Sequence, residues 1–132
     1  MSVHPDPTGL SAVPLLASLG PEELERISGW MEVRHADAGE RLVSEGASGY
    51  AFFILQEGAA VVTRGAVEIA TLGQGDFFGE LALAGDGRRT ATVTATSSVT
   101  LAAMFGSEFR LLERELPATA DRIRSAAADR RT

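Results

Sequence analysis

The chain contains no cysteine, no lysine and no asparagine. Without cysteine there are no disulfides, no thiolate zinc sites and no cysteine-held iron–sulfur clusters. Without lysine a P-loop is excluded, because the ammonium that reaches the phosphates is missing. Without asparagine there is no N-glycosylation sequon. All twelve basic residues are arginine, and the Ala-, Arg- and Gly-rich composition points to GC-rich coding. Histidine occurs only as His4 and His35. A cupin-like metal enzyme needs several histidines and a haem sensor needs a placed one, so neither chemistry is well served. No pair of carboxylates is marked by spacing as acid and base, and no Ser-His-Asp set is suggested, so no catalytic residue and no metal site is expected.

A chain of 132 residues with 45% hydrophobic content fits one domain with its own core. The net charge of −6 works against generic attraction to DNA or anionic membranes. No apolar run approaches the length of a membrane span. The N-terminal stretch, with His4, Pro5, Asp6, Pro7 and Pro14, lacks the basic segment and long apolar run of a signal peptide. These features give the expectation of a cytoplasmic protein.

Residues 1–12 are rich in Pro, Ser and Gly and predict a flexible leader, with a helical turn within Val13 to Leu19. Gly20-Pro21-Glu22-Glu23 opens a helix over 20–29: proline suits the first turn and the acids favour the positive end of the dipole. From residue 30 to 105 short β-prone runs recur between glycines, at 31–34, 41–44, 50–56, 59–64, 67–72, 90–95 and 99–104. That texture predicts a small antiparallel barrel or roll. Helical spacing returns at Ser107 to Leu116, is broken by Pro117, and resumes from about residue 118 to 131. The stripe of the last helix is Leu116, Ala120, Ile123, Ala127 and Arg130. The expected order is one helix, a roll, then two helices over 106–131, with 13–131 as a single domain. Trp30, Phe52, Phe53, Phe77 and Phe105 are expected in the core.

The segment from Gly73 to Val93 carries the chemistry. Gly73-Gln74-Gly75-Asp76-Phe77-Phe78-Gly79 does not have the spacing of the dinucleotide fingerprint. Glu80-Leu81-Ala82-Leu83 after Gly79 predicts one helical turn whose first N–H groups are unsatisfied and available to an anion. Gly79 allows close approach to the backbone, and Glu80 offers a carboxylate to a sugar hydroxyl. Arg88 and Arg89 precede a β-prone run in which alternate residues face opposite sides. An arginine turned into the roll needs an anion, and a phosphate satisfies it bidentately. A sugar-phosphate ligand follows from these three donors and acceptors together.

Phe78-Gly79-Glu80-Leu81-Ala82-Leu83 followed by Arg89-Thr90-Ala91-Thr92-Val93 resembles the phosphate-binding cassette of cyclic nucleotide-binding domains. These domains occur in cAMP-dependent kinase regulatory subunits, cyclic nucleotide-gated channels and bacterial cAMP receptor proteins. The nine positions from Glu80 to Arg89 match the kinase and channel type. The resemblance covers about residues 13–131. It implies a mainly β fold: an eight-stranded antiparallel, jelly-roll-like β-roll with an N-terminal helix, a short cassette helix and two C-terminal helices. It implies that Arg89 binds the cyclic phosphate, that Glu80 accepts from the ribose 2′-hydroxyl, and that Gly79, Leu81 and Ala82 form the cradle. Thr90 and Ala91 would line the other side of the phosphate, and Val62 and Leu72 would lie against the base. Arg130 falls where channel-type domains place a lid arginine over the purine, and Ala128 to Arg131 is similar to bacterial channel-type domains.

The implied ligand is cAMP, with cGMP left open by the hydroxyl of Thr90. Binding would reposition the cassette and close the last helix as a lid. No cofactor beyond that ligand is implied, and the expected role is a non-enzymatic sensor acting on an unknown downstream protein, as a monomer or weak dimer. The chain carries no winged helix-turn-helix after the lid helix, so no DNA-binding domain is expected in it. The alternative is a degenerate roll that recognises protein without nucleotide; the presence of both Glu80 and Arg89 speaks against it.

Overall fold

The computed structural model describes residues 4–43, 51–78 and 91–129. In chain order its elements are α1 (Pro7–Leu10), a 3-10 turn (Pro14–Leu16), α2 (Pro21–Gly29), β1 (Glu32–Ala36), β2 (Arg41–Val43), β3 (Ala51–Glu57), β4 (Ala60–Arg64), β5 (Val67–Leu72), β6 (Phe77–Phe78), β7 (Thr92–Ala95), β8 (Val99–Phe105), α3 (Gly106–Glu115) and α4 (Pro117–Asp129). Among the described residues eight strands form two antiparallel sheets of four, ordered β1-β8-β3-β6 and β2-β7-β4-β5. This is the antiparallel β-roll with flanking helices that the Gly-punctuated strand pattern predicts. The expected cassette helix lies outside the described residues.

Side chains alternate across each strand, and the alternation separates two cores. On the first sheet Phe52, Ile54, Ala102 and Met104 face outward, towards the helices. Their neighbours Leu55, Phe78, Val99 and Leu101 face inward and meet Val43, Ala60, Val62, Leu72, Val93 and Ala95 of the second sheet. The molecule is therefore layered as helices, first sheet, second sheet. The second sheet ends in β5, where Val67 and Ile69 are exposed and a register shift opposite Val62 and Thr63 leaves Ile69 as the extra residue of a bulge. Of the expected core aromatics, Phe52 is fully buried; Phe53, Phe77 and Trp30 are partly buried against the two cores, and Phe105 is half-buried.

Three features depart from the sequence expectations. Residues 4–12 are packed on the domain rather than trailing from it. Leu10 is completely buried, Ser28 Oγ donates to the Pro5 carbonyl at 2.6 Å, and His4 Nδ1 lies 2.7 Å from the Met31 carbonyl oxygen. The Pro and Gly content suggests a loose chain, but one apolar side chain and two long-range polar contacts anchor it. Second, Phe77 and Phe78 form a strand of their own, too short for a periodicity argument and held by pairing to Phe53 and Ile54. Third, Met31 precedes β1 instead of opening it and is fully buried beneath α2 with Ile27.

The two C-terminal helices meet at Leu116–Pro117, with Pro117 opening α4 at the position where its missing N–H costs nothing. Phe109 and Leu112 of α3 and Ala120 and Ile123 of α4 are buried in one core with Leu10, Leu16, Leu24 and Ile27. The elements before the roll and the two helices after it thus cover the same face of the first sheet. Arg26 of α2 bridges to Glu115 at 3.0 Å and lies over the Trp30 ring, while Arg122 donates to Ser18 Oγ.

Candidate functional site

Among the residues named from sequence, Gly79, Glu80, Leu81, Ala82, Arg89, Thr90 and Arg130 lie outside the described residues. Val62, Leu72 and Ala91 are described, and the fold brings them into one compartment. Val62 and Leu72 are buried between the sheets, and Ala91 packs against the same cluster. Val62 pairs with Val93 on one side and with Ala70 on the other, and Leu72 pairs with Ala60. The wall of the roll below Ala91 is therefore purely aliphatic, contributed by β4, β5 and β7. Such a wall can cover the face of a planar group, and it contributes no charged side chain.

Both flanks of residues 79–90 are fixed, and on different sheets. On the N-terminal side, a turn at Gly73–Asp76 is closed by Gly73 N–H donating to Asp76 Oδ2 at 2.8 Å. Gly75 has φ +93°, a left-handed value that glycine adopts without a side-chain clash. Its N–H donates to the Leu55 carbonyl, and Leu55 N–H donates to the Asp76 carbonyl, both at 2.8 Å. Phe77 and Phe78 follow, turned to opposite faces of the first sheet. Phe77 leans on Phe52 at 5.9 Å in the helical core, and Phe78 stacks on Phe53 at 5.1 Å and 20° inside the roll. On the C-terminal side, Ala91 leads into β7, whose Thr92 pairs with Thr63 and whose Val93 points inward. Sequence reasoning placed Phe53 in the core and Phe78 at the start of the motif but missed that the two rings stack; strand pairing across the first sheet, which no local pattern signals, brings them together.

The other polar features lie elsewhere. A cleft of about 430 Å³ runs between the N-terminal segment at Gly9 and Val13 and the sheet residues Gln56, Glu57, Gln74 and Thr100. Val62, Leu72 and Ala91, the described residues among those predicted to bind ligand, do not line it. His35 Nδ1 is 3.4 Å from Thr100 Oγ1 in an exposed position. Arg34 pairs with Glu32 at 3.0 Å and lies over the Phe105 ring. Among the described residues no group of three or more His, Cys, Asp or Glu side chains is arranged to hold a metal ion. No helix among them is long and apolar enough to cross a membrane.

A family model described as "Cyclic nucleotide-binding domain" matches residues 33–115. The chain belongs to this family. It is 39% identical over 103 residues, 78% of its length, to a cAMP-dependent protein kinase regulatory subunit of Hypocrea atroviridis, covering 22% of that protein. It is 34% identical over 122 residues, 92% of its length, to a cyclic nucleotide-gated potassium channel of Rhizobium etli, covering 34% of that protein. The chain thus spans about a fifth to a third of these curated relatives. Among solved structures, the cAMP complex of the regulatory domain of Toxoplasma gondii PKA superposes with a TM-score of 0.83 at 26% identity, covering 93% of this chain and 48% of that one. The catabolite activator protein of Thermus thermophilus superposes with a TM-score of 0.81 at 30% identity, covering 89% and 57% of the respective chains. The cyclic nucleotide-binding domain described here therefore shares the β-roll of the PKA regulatory domain and of the catabolite activator protein.

Proposed function

We propose that this domain is a non-enzymatic sensor of cAMP. Arg89 takes the cyclic phosphate, with the backbone of Gly79, Leu81 and Ala82 as its cradle and Thr90 and Ala91 on the far side. Glu80 takes the ribose 2′-hydroxyl. Val62 and Leu72 form the apolar wall for the purine, and Arg130 is the candidate cap over it. Binding would move the cassette and draw α4 across the base as a lid. A conformational response of this kind requires the ligand to bind the closed form more tightly than the open one.

The observation that carries the reading is the joint presence of Phe78 to Leu83 and Arg89 to Val93 within the stretch matched by the family model. The frame supports it. The described residues on either side of the stretch 79–90 belong to different sheets, Phe78 to the first and Thr92 and Val93 of β7 to the second, and the second sheet contributes an aliphatic wall. The kinase regulatory subunits and the cAMP-bound neighbour favour cAMP over cGMP. As a regulatory module the domain would pass its state to a further protein or domain, from within the cytoplasm.

Isothermal titration against cAMP, cGMP and cyclic dinucleotides tests the proposal directly. Saturable one-site binding of cAMP is expected, tighter than that of cGMP. A ligand held only by the folded state also raises the melting temperature in proportion to the logarithm of its excess. Absence of heat and of any thermal shift with all of these nucleotides would leave the domain as a protein-recognition roll.

A further inference from the structure

We propose that the cleft between the N-terminal segment and the first sheet is a second binding site, built for a small organic cation: an ammonium group on an apolar body. A β-bulge makes the site. Leu55 of β3 pairs with Leu101 of β8, and Glu57 pairs with Thr100. Two steps along β3 thus match one step along β8, and Gln56 is the extra residue. Consecutive side chains of a regular strand point to opposite faces. The bulge suspends that rule, and Gln56 and Glu57 both line the one cleft, beside Thr100.

The turn at 73–76 brings Gln74 to the same place. Gly75 N–H donates to the Leu55 carbonyl and Leu55 N–H donates to the Asp76 carbonyl, so the turn is fastened to the residue just before the bulge. Ala12 and Val13 of the N-terminal segment supply the apolar side of the cleft. Within the described residues, no hydrogen bond or ion pair occupies the side chains of Gln56, Glu57 and Gln74. Two amide oxygens and a carboxylate are acceptors for an ammonium N–H. Glu57 is the one charged group among the described residues that line the cleft, so a cation is attracted there and a phosphate ester is not. A volume of about 430 Å³, with an apolar wall and a few convergent polar groups, is the usual make-up of a small-molecule pocket.

Three probes of one shape test the assignment: phenethylamine, phenethyl alcohol and hydrocinnamate. Each is titrated at neutral pH and low salt into the isotope-labelled chain, with the side-chain amide NMR signals of Gln56 and Gln74 as the readout. The amine is expected to shift both signals saturably, the alcohol more weakly and the carboxylate not at all. Glu57→Gln, at an exposed position, is expected to weaken the amine about five-fold, to the level of the alcohol. Glu68→Gln removes another exposed carboxylate, from β5 of the second sheet, and is expected to change nothing. No saturable shift with the amine, equal binding of the carboxylate, wild-type affinity in Glu57→Gln, or an equal loss in Glu68→Gln overturns the proposal. None of these outcomes bears on the nucleotide reading, which the cAMP titration tests by itself.

Discussion

Val62 on β4 stands directly opposite Val93 on β7, and both side chains are turned into the space between the sheets. The pair is the centre of the aliphatic wall that leads up to Ala91. Val62→Ala removes two methyl groups from a site only 8% exposed. Stability should fall by about 1.5 kcal/mol at roughly 0.8 kcal/mol per buried carbon, read from the urea midpoint. If the wall also covers the purine, cAMP affinity falls in the same variant while binding of ribose 5-phosphate, which has no base, does not change.

Arg89→Leu should abolish most cAMP binding. Charge-assisted bonds contribute about 1.5–3 kcal/mol each, so loss of a bidentate contact amounts to a drop of about 100-fold or more. Calorimetry reads the loss, and far-UV circular dichroism with an unchanged unliganded melting curve shows that the fold is retained. Wild-type affinity in this variant removes Arg89 from the site.

Gly58 joins β3 to β4 with φ +93°, and a Cβ there would sit 2.3 Å from the Ser98 carbonyl oxygen. Gly58→Ala therefore combines a left-handed backbone with a collision against main chain that cannot swing away. The expected destabilisation is about 2 kcal/mol or more, measured by chemical denaturation. Gly39 also has positive φ, at +92°, but has open space around it. Gly39→Ala should lose only the backbone increment, about 1–2 kcal/mol.

Leu10→Ala should destabilise the domain by about 2–5 kcal/mol, the range for truncating a buried leucine. The same substitution in a flexible leader would leave the melting curve unchanged. This experiment decides between the composition of residues 1–12, which suggests a free tail, and the packing of Leu10 into the helical core.

The parts of the fold that were legible in the sequence are those set by local rules. Pro21 with Glu22 and Glu23 marked the start of α2, and β5 was found at its observed bounds because Gly65 and Gly73 punctuate it. β6 was invisible because two residues have no period; only the register with Phe53 and Ile54 makes it a strand. The packing of the N-terminal segment was equally hidden, since its contacts join Pro5 to Ser28 and His4 to Met31. Membership of the family was readable because Phe78 to Leu83 and Arg89 to Val93 are contiguous runs within the stretch that the family model matches; apart from Ala91, the ligand contacts proposed for them fall in residues 79–90, outside the described residues. The apolar wall was only half readable: Val62 and Leu72 were named, but their partner Val93 follows from strand register and not from any local pattern.

Leu10 and Leu24 precede the roll in sequence, Leu112 and Ile123 follow it, and all four are buried in one core with Phe52, Ile54 and Met104. Trimming either end to make a minimal sensor would strip the greasy back of the first sheet. A truncated version should turn sticky and precipitate before its nucleotide affinity could be judged, so engineered biosensors built on this roll need both flanks kept intact.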